Sequence, residues 1–171
     1  LAFIGVLVGT FTFSYLTNDH IRIIIGLIAI FFCLDYYFRK DSDKPKKPSK
    51  FASYFWPSLS GFTSFSIHAG GLPLSFYLLP MRLDRTMYVA TAGLFYLLIN
   101  LFKIFPYAYL GEMNFENIYT SLLLLPLAPL GVYFGAYLVD KIGQDWFYKI
   151  GYFCTLLAGC KLFYDGSIRL F

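Results

Sequence analysis

The sequence predicts an all-α integral membrane protein: a polytopic helix bundle with an internal four-helix repeat, the first repeat truncated. Three observations carry this reading. Hydrophobic residues fill 58% of the 171 positions and charged residues only 14%, against about 25% charged in an ordinary soluble domain. The apolar residues fall into six blocks, several of them close to the length that a hydrocarbon core of ~30 Å demands. Two stretches also share a glycine spacing, Gly5-Val6-Leu7-Val8-Gly9 and Gly131-Val132-Tyr133-Phe134-Gly135. Together these exclude a disordered chain, a coiled coil and a soluble enzyme.

The first block, 1–17, is apolar from its first residue and lacks the initiating Met and basic region of a signal peptide. It reads as the remainder of a helix in a longer protein. A turn at Asn18-Asp19 precedes the second block, 21–38, long enough as a helix to rise about 27 Å. The stretch Arg39–Lys50 (RKDSDKPKKPSK) holds six of the fourteen Lys and Arg residues in a chain of net charge +4. Between two apolar blocks it reads as a solvated cytoplasmic loop under the positive-inside rule, not as a nucleic-acid patch. The third block, 51–80, is too long and too interrupted for one straight helix. The fourth runs 87–107, the fifth 118–139 and the sixth 147–165. Turns are expected at Met81–Arg85, Gly111–Asn114 and Gly143–Asp145. Pro126 and Pro129 should bend the fifth block, and Gly131 with Gly135 forms a GxxxG packing face within the bundle. Cys33, Cys154 and Cys160 lie in apolar blocks without a CxxC pair, so neither a disulfide framework nor a metal site is expected. No catalytic constellation or cofactor motif stands out.

The shared glycines extend into a longer match. Each pair is followed by a polar turn containing Asp (Asp19, Asp145), then by Gly26 or Gly151 at nearly the same offset. Two copies of a helix–turn–helix unit are expected, at 1–38 and 127–165. The organisation that follows is 1–38 as the end of a first repeat, 39–50 as a basic cytoplasmic loop, and 51–171 as a second repeat of four helices. The segment 51–110 then has its counterpart upstream of Leu1.

Candidate chemistry concentrates in the third block, Ser60-Gly-Phe-Thr-Ser-Phe-Ser-Ile-His68-Ala-Gly70-Gly71-Leu-Pro73. Gly70-Gly71 followed by Pro73 breaks a helix through backbone freedom and a missing donor. Inside a bilayer, unwound backbone is tolerated only where protein or a water-filled cavity satisfies it. Amides freed at the start of the next half-helix would present partial positive charge to an anion. His68, beside this break, is either hydrogen-bonded structure or a proton-responsive group, since an unperturbed imidazole titrates near neutrality. In the fourth block Gly93, Tyr96, Asn100 and Lys103 fall on one helical face. Lys103 either snorkels to the interface or lines a substrate path. Asp35 lies four residues before Arg39, a spacing that suits an ion pair at the membrane edge.

The run GFTSFSIHAGGLPLSFYLLPMRLDRTMYVAT, followed by NLFKIFPYAYLG, resembles the second repeat of the TauE/SafE sulfite exporter family. The shared features are His68-Ala-Gly-Gly71 with Pro73, Tyr77-Leu-Leu-Pro80, Leu83-Asp84, Thr91, and Asn100 with Lys103 through Tyr107. The resemblance covers most of 51–165, with 1–38 fitting the close of the first repeat. Leu72-Pro73 stands where many members carry two prolines. The resemblance implies an eight-helix permease of two four-helix repeats in a bacterial inner membrane, of which this chain holds about the C-terminal two-thirds. It implies a secondary transporter, an exporter of sulfite or a related small organosulfur or organic anion, with no enzymatic activity. The expected site is His68, Gly70, Gly71, Thr91, Asn100 and Lys103. Expected partners are the anion and the lipid bilayer, with a homo-oligomer compatible and no nucleic acid. A reading from another class is a non-transporting scaffold or maturation factor, working through the Gly131–Gly135 face and the basic loop.

Topology stays open at this level. If 51–80 crosses once, Met81–Thr86 lies opposite the basic loop and the repeats are parallel. If 51–80 dips in and returns, Met81–Thr86 lies on the same side and the repeats are inverted.

Overall fold

The computed structural model describes residues 2–12, 18–39, 44–110 and 115–170, and the regular structure in them is helical. In chain order the helices are α1 (Ala2–Thr12), α2 (Asn18–Phe38), α3 (Lys50–Ser66), α4 (Gly71–Leu78), α5 (Arg85–Tyr109), α6 (Phe115–Leu124), α7 (Leu127–Lys141) and α8 (Gln144–Leu170), with a 3-10 turn at Leu79–Met81 after α4. The expected turn at Gly111–Asn114 falls outside the described residues. Helices α2 and α5 are long and apolar enough to cross a membrane.

Two boundaries differ from expectation because polar residues cap helices as readily as they end them. Asn18 and Asp19 open α2 instead of preceding it. The Asp19 carboxylate sits at the positive end of the helix and pairs with Arg22 at 2.7 Å. Likewise Gln144 and Asp145 form the first turn of α8. The fifth block does more than bend: α6 ends at Leu124, a turn passes through Leu125 and Pro126, and α7 starts at Leu127. Proline at 126 has no N–H for the helical ladder and disfavours helical backbone in the residue before it.

The chain divides into two compact units, Leu1–Asp84 with Tyr148–Phe171, and Arg85–Phe147. In the first unit, α1 and α3 meet backbone to backbone. A Cβ on Gly5 would collide with the Ser58 carbonyl oxygen, and one on Gly61 with the Ala2 carbonyl oxygen. A second seam joins α2 to α8, where a Cβ on Gly26 would lie 2.7 Å from the Phe163 nitrogen and one on Gly159 2.6 Å from Ala29 Cβ. Small residues at such crossings let backbones approach, which is the main source of helix association where lipid is as apolar as the side chains. Ile21, Ile25, Ala29, Leu72 and Phe76 form the core between α2 and α4.

The third block is a hairpin. Ser49 caps α3, its Oγ accepting from the Ala52 amide at 3.1 Å. After Ser66 the chain reverses, and contacts then pair late residues with early ones in antiparallel order. Phe76 meets the Trp56 ring at 5.2 Å, the Tyr77 hydroxyl lies 3.3 Å from Ser53 Oγ, and the Lys46 amide donates to the Pro80 carbonyl at 2.8 Å. Pro80 therefore returns to the basic loop from which α3 departed. The third block thus folds back on itself between Lys50 and Pro80.

In the second unit, Arg85 links two helix ends. Its amide donates to Gln144 Oε1 at 3.0 Å, while its guanidinium donates to the Ile142 carbonyl and, at 3.3 Å, to the Asp140 carbonyl. A cation bonding the last carbonyls of α7 also complements that helix's dipole. The GxxxG face departs from expectation. Neither Gly131 nor Gly135 would bring a Cβ within 4 Å of another group, and α7 buries none of its residues. Small residues permit close packing but supply no partner, and among the described residues none covers this face.

Candidate anion site at a broken helix

The hairpin tip is built by its own small residues. The Thr63 carbonyl accepts from both the Ile67 and the Ala69 amides at 3.1 Å, and His68 adopts the left-handed conformation at φ 55°. A non-glycine residue there is uncommon and marks a tight reversal. Ser60 Oγ donates to the Gly70 carbonyl at 2.7 Å, holding the far side of the turn. Gly70 is obligatory for a steric reason: a Cβ would lie 2.6 Å from Ser64 Cβ and 2.7 Å from the Ser60 carbonyl oxygen. The hydroxyl-rich run before His68 is thus structural in part, with Ser60 and Thr63 fully buried and their hydroxyls bonded to backbone carbonyls.

At the start of α4 the donors sort themselves. The Ala69, Leu72 and Leu74 amides donate to the carbonyls of Thr63, Ala69 and Gly70, and Pro73 has no N–H. The amides of Gly70 and Gly71 find no acceptor among the described residues. Gly70 is buried, whereas Gly71 and His68 are exposed. The break thus offers two adjacent donors at the positive end of a helix, beside an accessible imidazole, an arrangement suited to an oxyanion.

The other three expected site residues stand on α5 in the second unit. Lys103 is only 6% exposed, with Nζ 5.6 Å from the centre of the Tyr107 ring. An arm reaching for the interface would be accessible, so burial disfavours snorkelling. The expected face splits, however. Tyr96 and Lys103 turn inward with Ile99, while Gly93 and Asn100 are exposed, and Thr91 is exposed on another side. Ile99, not Asn100, centres the buried stripe, because an apolar residue one position earlier gains more from burial.

By sequence Arg82 is only part of a turn. In the structure it is left-handed at φ 49°, donates from Nη2 to the Tyr36 hydroxyl at 3.0 Å, and lies 4.7 Å from the Tyr148 ring centre. Tyr36 stacks on Tyr152 at 3.6 Å. Nothing local in Met81-Arg-Leu-Asp-Arg85 signals this cluster, since its aromatic partners come from α2 and α8. Asp35 and Arg39 pair at 3.1 Å as the spacing suggested. Among the described residues no three His, Cys, Asp or Glu side chains group as a metal site.

Much of the remaining surface is apolar. Leu94, Leu97, Leu98, Leu101, Ile104 and Phe105 of α5 are all exposed, a continuous patch that water would not tolerate on a monomer and that suits contact with lipid. No match was found among curated proteins or among solved structures. The family model for the sulfite exporter TauE/SafE, a family of membrane transporters, matches residues 1–162. With a broken-helix hairpin, an apolar exterior and a match over nearly its whole length, the chain belongs to the TauE/SafE sulfite exporter family.

Proposed function

We propose that this chain forms the anion-handling part of a secondary transporter that exports sulfite or a related small organosulfur anion across a bacterial inner membrane. The observation that carries the reading is the hairpin tip, where the Gly70 and Gly71 amides lack acceptors beside exposed His68. The two amides hydrogen-bond the anion's oxygens, and His68 makes binding responsive to protons. From α5, Lys103 supplies charge, and Asn100 and Thr91 supply hydrogen bonds along the path.

The test is counterflow of radiolabelled sulfite in proteoliposomes. Saturable exchange is expected, with Lys103→Ala lowering it at least tenfold and His68→Ala flattening its pH dependence. Intact flux and pH response in both variants would defeat this assignment. In the membrane, the basic loop 39–50 and the hairpin's return at Met81–Arg85 lie on the cytoplasmic side. A membrane-impermeant maleimide should then label Lys46→Cys and Met81→Cys from the same side, and opposite sides would refute the re-entrant topology. The uncovered Gly131–Gly135 face favours a second reading, a membrane scaffold that binds a partner helix. Stoichiometric co-purification of a partner, with no sulfite exchange, would favour it.

A further inference from the structure

A cleft at the end of α2 lies apart from the hairpin tip, lined by Asp35, Tyr36, Arg39, Lys46, Pro80 and Tyr152. We infer that this cleft binds the phosphodiester headgroup of an anionic phospholipid from the leaflet facing the basic loop. The inference holds whichever solute the protein carries.

The charges of the cleft suit a phosphodiester. Asp35, Arg39 and Lys46 sum to one positive charge, the complement of a phosphodiester's single negative charge. The surrounding stretch Arg39–Lys50 carries six cations against two Asp, and basic clusters on that side of a membrane attract anionic lipid. Parts of the cleft are also held in place. Tyr36 is fixed between its stack on Tyr152 at 3.6 Å and the Arg82 guanidinium. Asp35 orients Arg39 at 3.1 Å, and the Lys46 amide is anchored to the Pro80 carbonyl at 2.8 Å. The Tyr36 ring and the Lys46 backbone are thus held before any ligand arrives, which lowers the ordering that opposes binding.

An apolar stripe beside the cleft separates a lipid from a free anion. Phe31, Leu34 and Phe38 follow one another at i, i+3 and i+7 along α2, 68%, 38% and 84% exposed, next to the face that carries Asp35 and Arg39. An apolar stripe leading from a charged cleft along a membrane helix matches an acyl chain below its headgroup. A water-soluble phosphate or sulfite has no use for it. Tyrosines at the level of the cleft fit the interfacial belt where headgroups lie.

The experiment follows the thermal unfolding midpoint of the purified protein in neutral detergent while phosphatidylglycerol is titrated into the micelles. Parallel titrations use phosphatidylcholine and inorganic phosphate at matched ionic strength. Phosphatidylglycerol should raise the midpoint saturably, and the other two should not. The double substitution Arg39→Gln with Lys46→Gln should raise the half-saturating lipid concentration about 25-fold, at about fivefold per cation. Arg39→Lys should stay within a few-fold of the parent, and Lys161→Gln, nine residues beyond Tyr152 along α8, should match it. The inference fails if the double variant titrates like the parent or if phosphatidylcholine works equally well. It also fails if inorganic phosphate alone reproduces the shift, which would make the cleft a free-anion site.

Discussion

The same five-residue glycine spacing occurs in α1 and in α7, and the two copies have opposite fates. Gly5 presses on the Ser58 carbonyl and Gly9 lies against Phe65, where a Cβ would come within 3.1 Å of the ring. A Cβ on Gly131 or Gly135 would meet nothing within 4 Å. The difference lies in the partner, not the motif. Helix α3 offers α1 a complementary strip of its own, Ser58 and Gly61, so that each backbone fills the notch left by the other's missing side chain. The described residues offer α7 no such strip. A GxxxG sequence is therefore a permission to pack, and the contact energy comes only when a second small-residue face is present.

Substitutions can break this comparison. The largest effect is expected for Gly61→Leu or Gly5→Leu, which place a side chain into backbone atoms that cannot yield. Either should cost at least about 3 kcal/mol in reversible unfolding. Gly159→Ala comes next at about 1–3 kcal/mol, since its Cβ would lie 2.6 Å from Ala29 Cβ and 3.3 Å from the Gly26 carbonyl oxygen. Gly151→Ala should cost under about 1 kcal/mol, because the single neighbour, Leu79 Cδ2 at 3.0 Å, is the tip of a flexible side chain. Smallest of all are Gly131→Ala and Gly135→Ala, expected to be neutral or stabilising by up to about 1 kcal/mol through helix propensity. A loss above about 1 kcal/mol at either position would show that this face is covered in the working protein, and would move α7 into the same class as α1.

The break at Gly70-Gly71-Pro73 was legible because glycine and proline act on their own backbone, wherever the helix is placed. The Asp35–Arg39 pair was legible because both residues belong to one helix turn. Asn100 was harder. Its face could be counted, but a 3.6-residue period leaves a neighbour such as Ile99 competing for the same inward direction, and only packing decides between them. Arg82 could not be found at all, because Tyr36 and Tyr148 are 46 and 66 positions away in the chain.

From sequence alone came the membrane character, the basic loop and the helix break, all of which are properties of local composition and backbone chemistry. Tertiary structure decided that the third block folds back on itself to meet Lys46. It also decided that Gly5 is buried where Gly131 is bare, and that Lys103 is sheltered while Asn100 is not. Each of those outcomes depends on which distant segment lies alongside, and a local pattern of side chains is compatible with more than one neighbour.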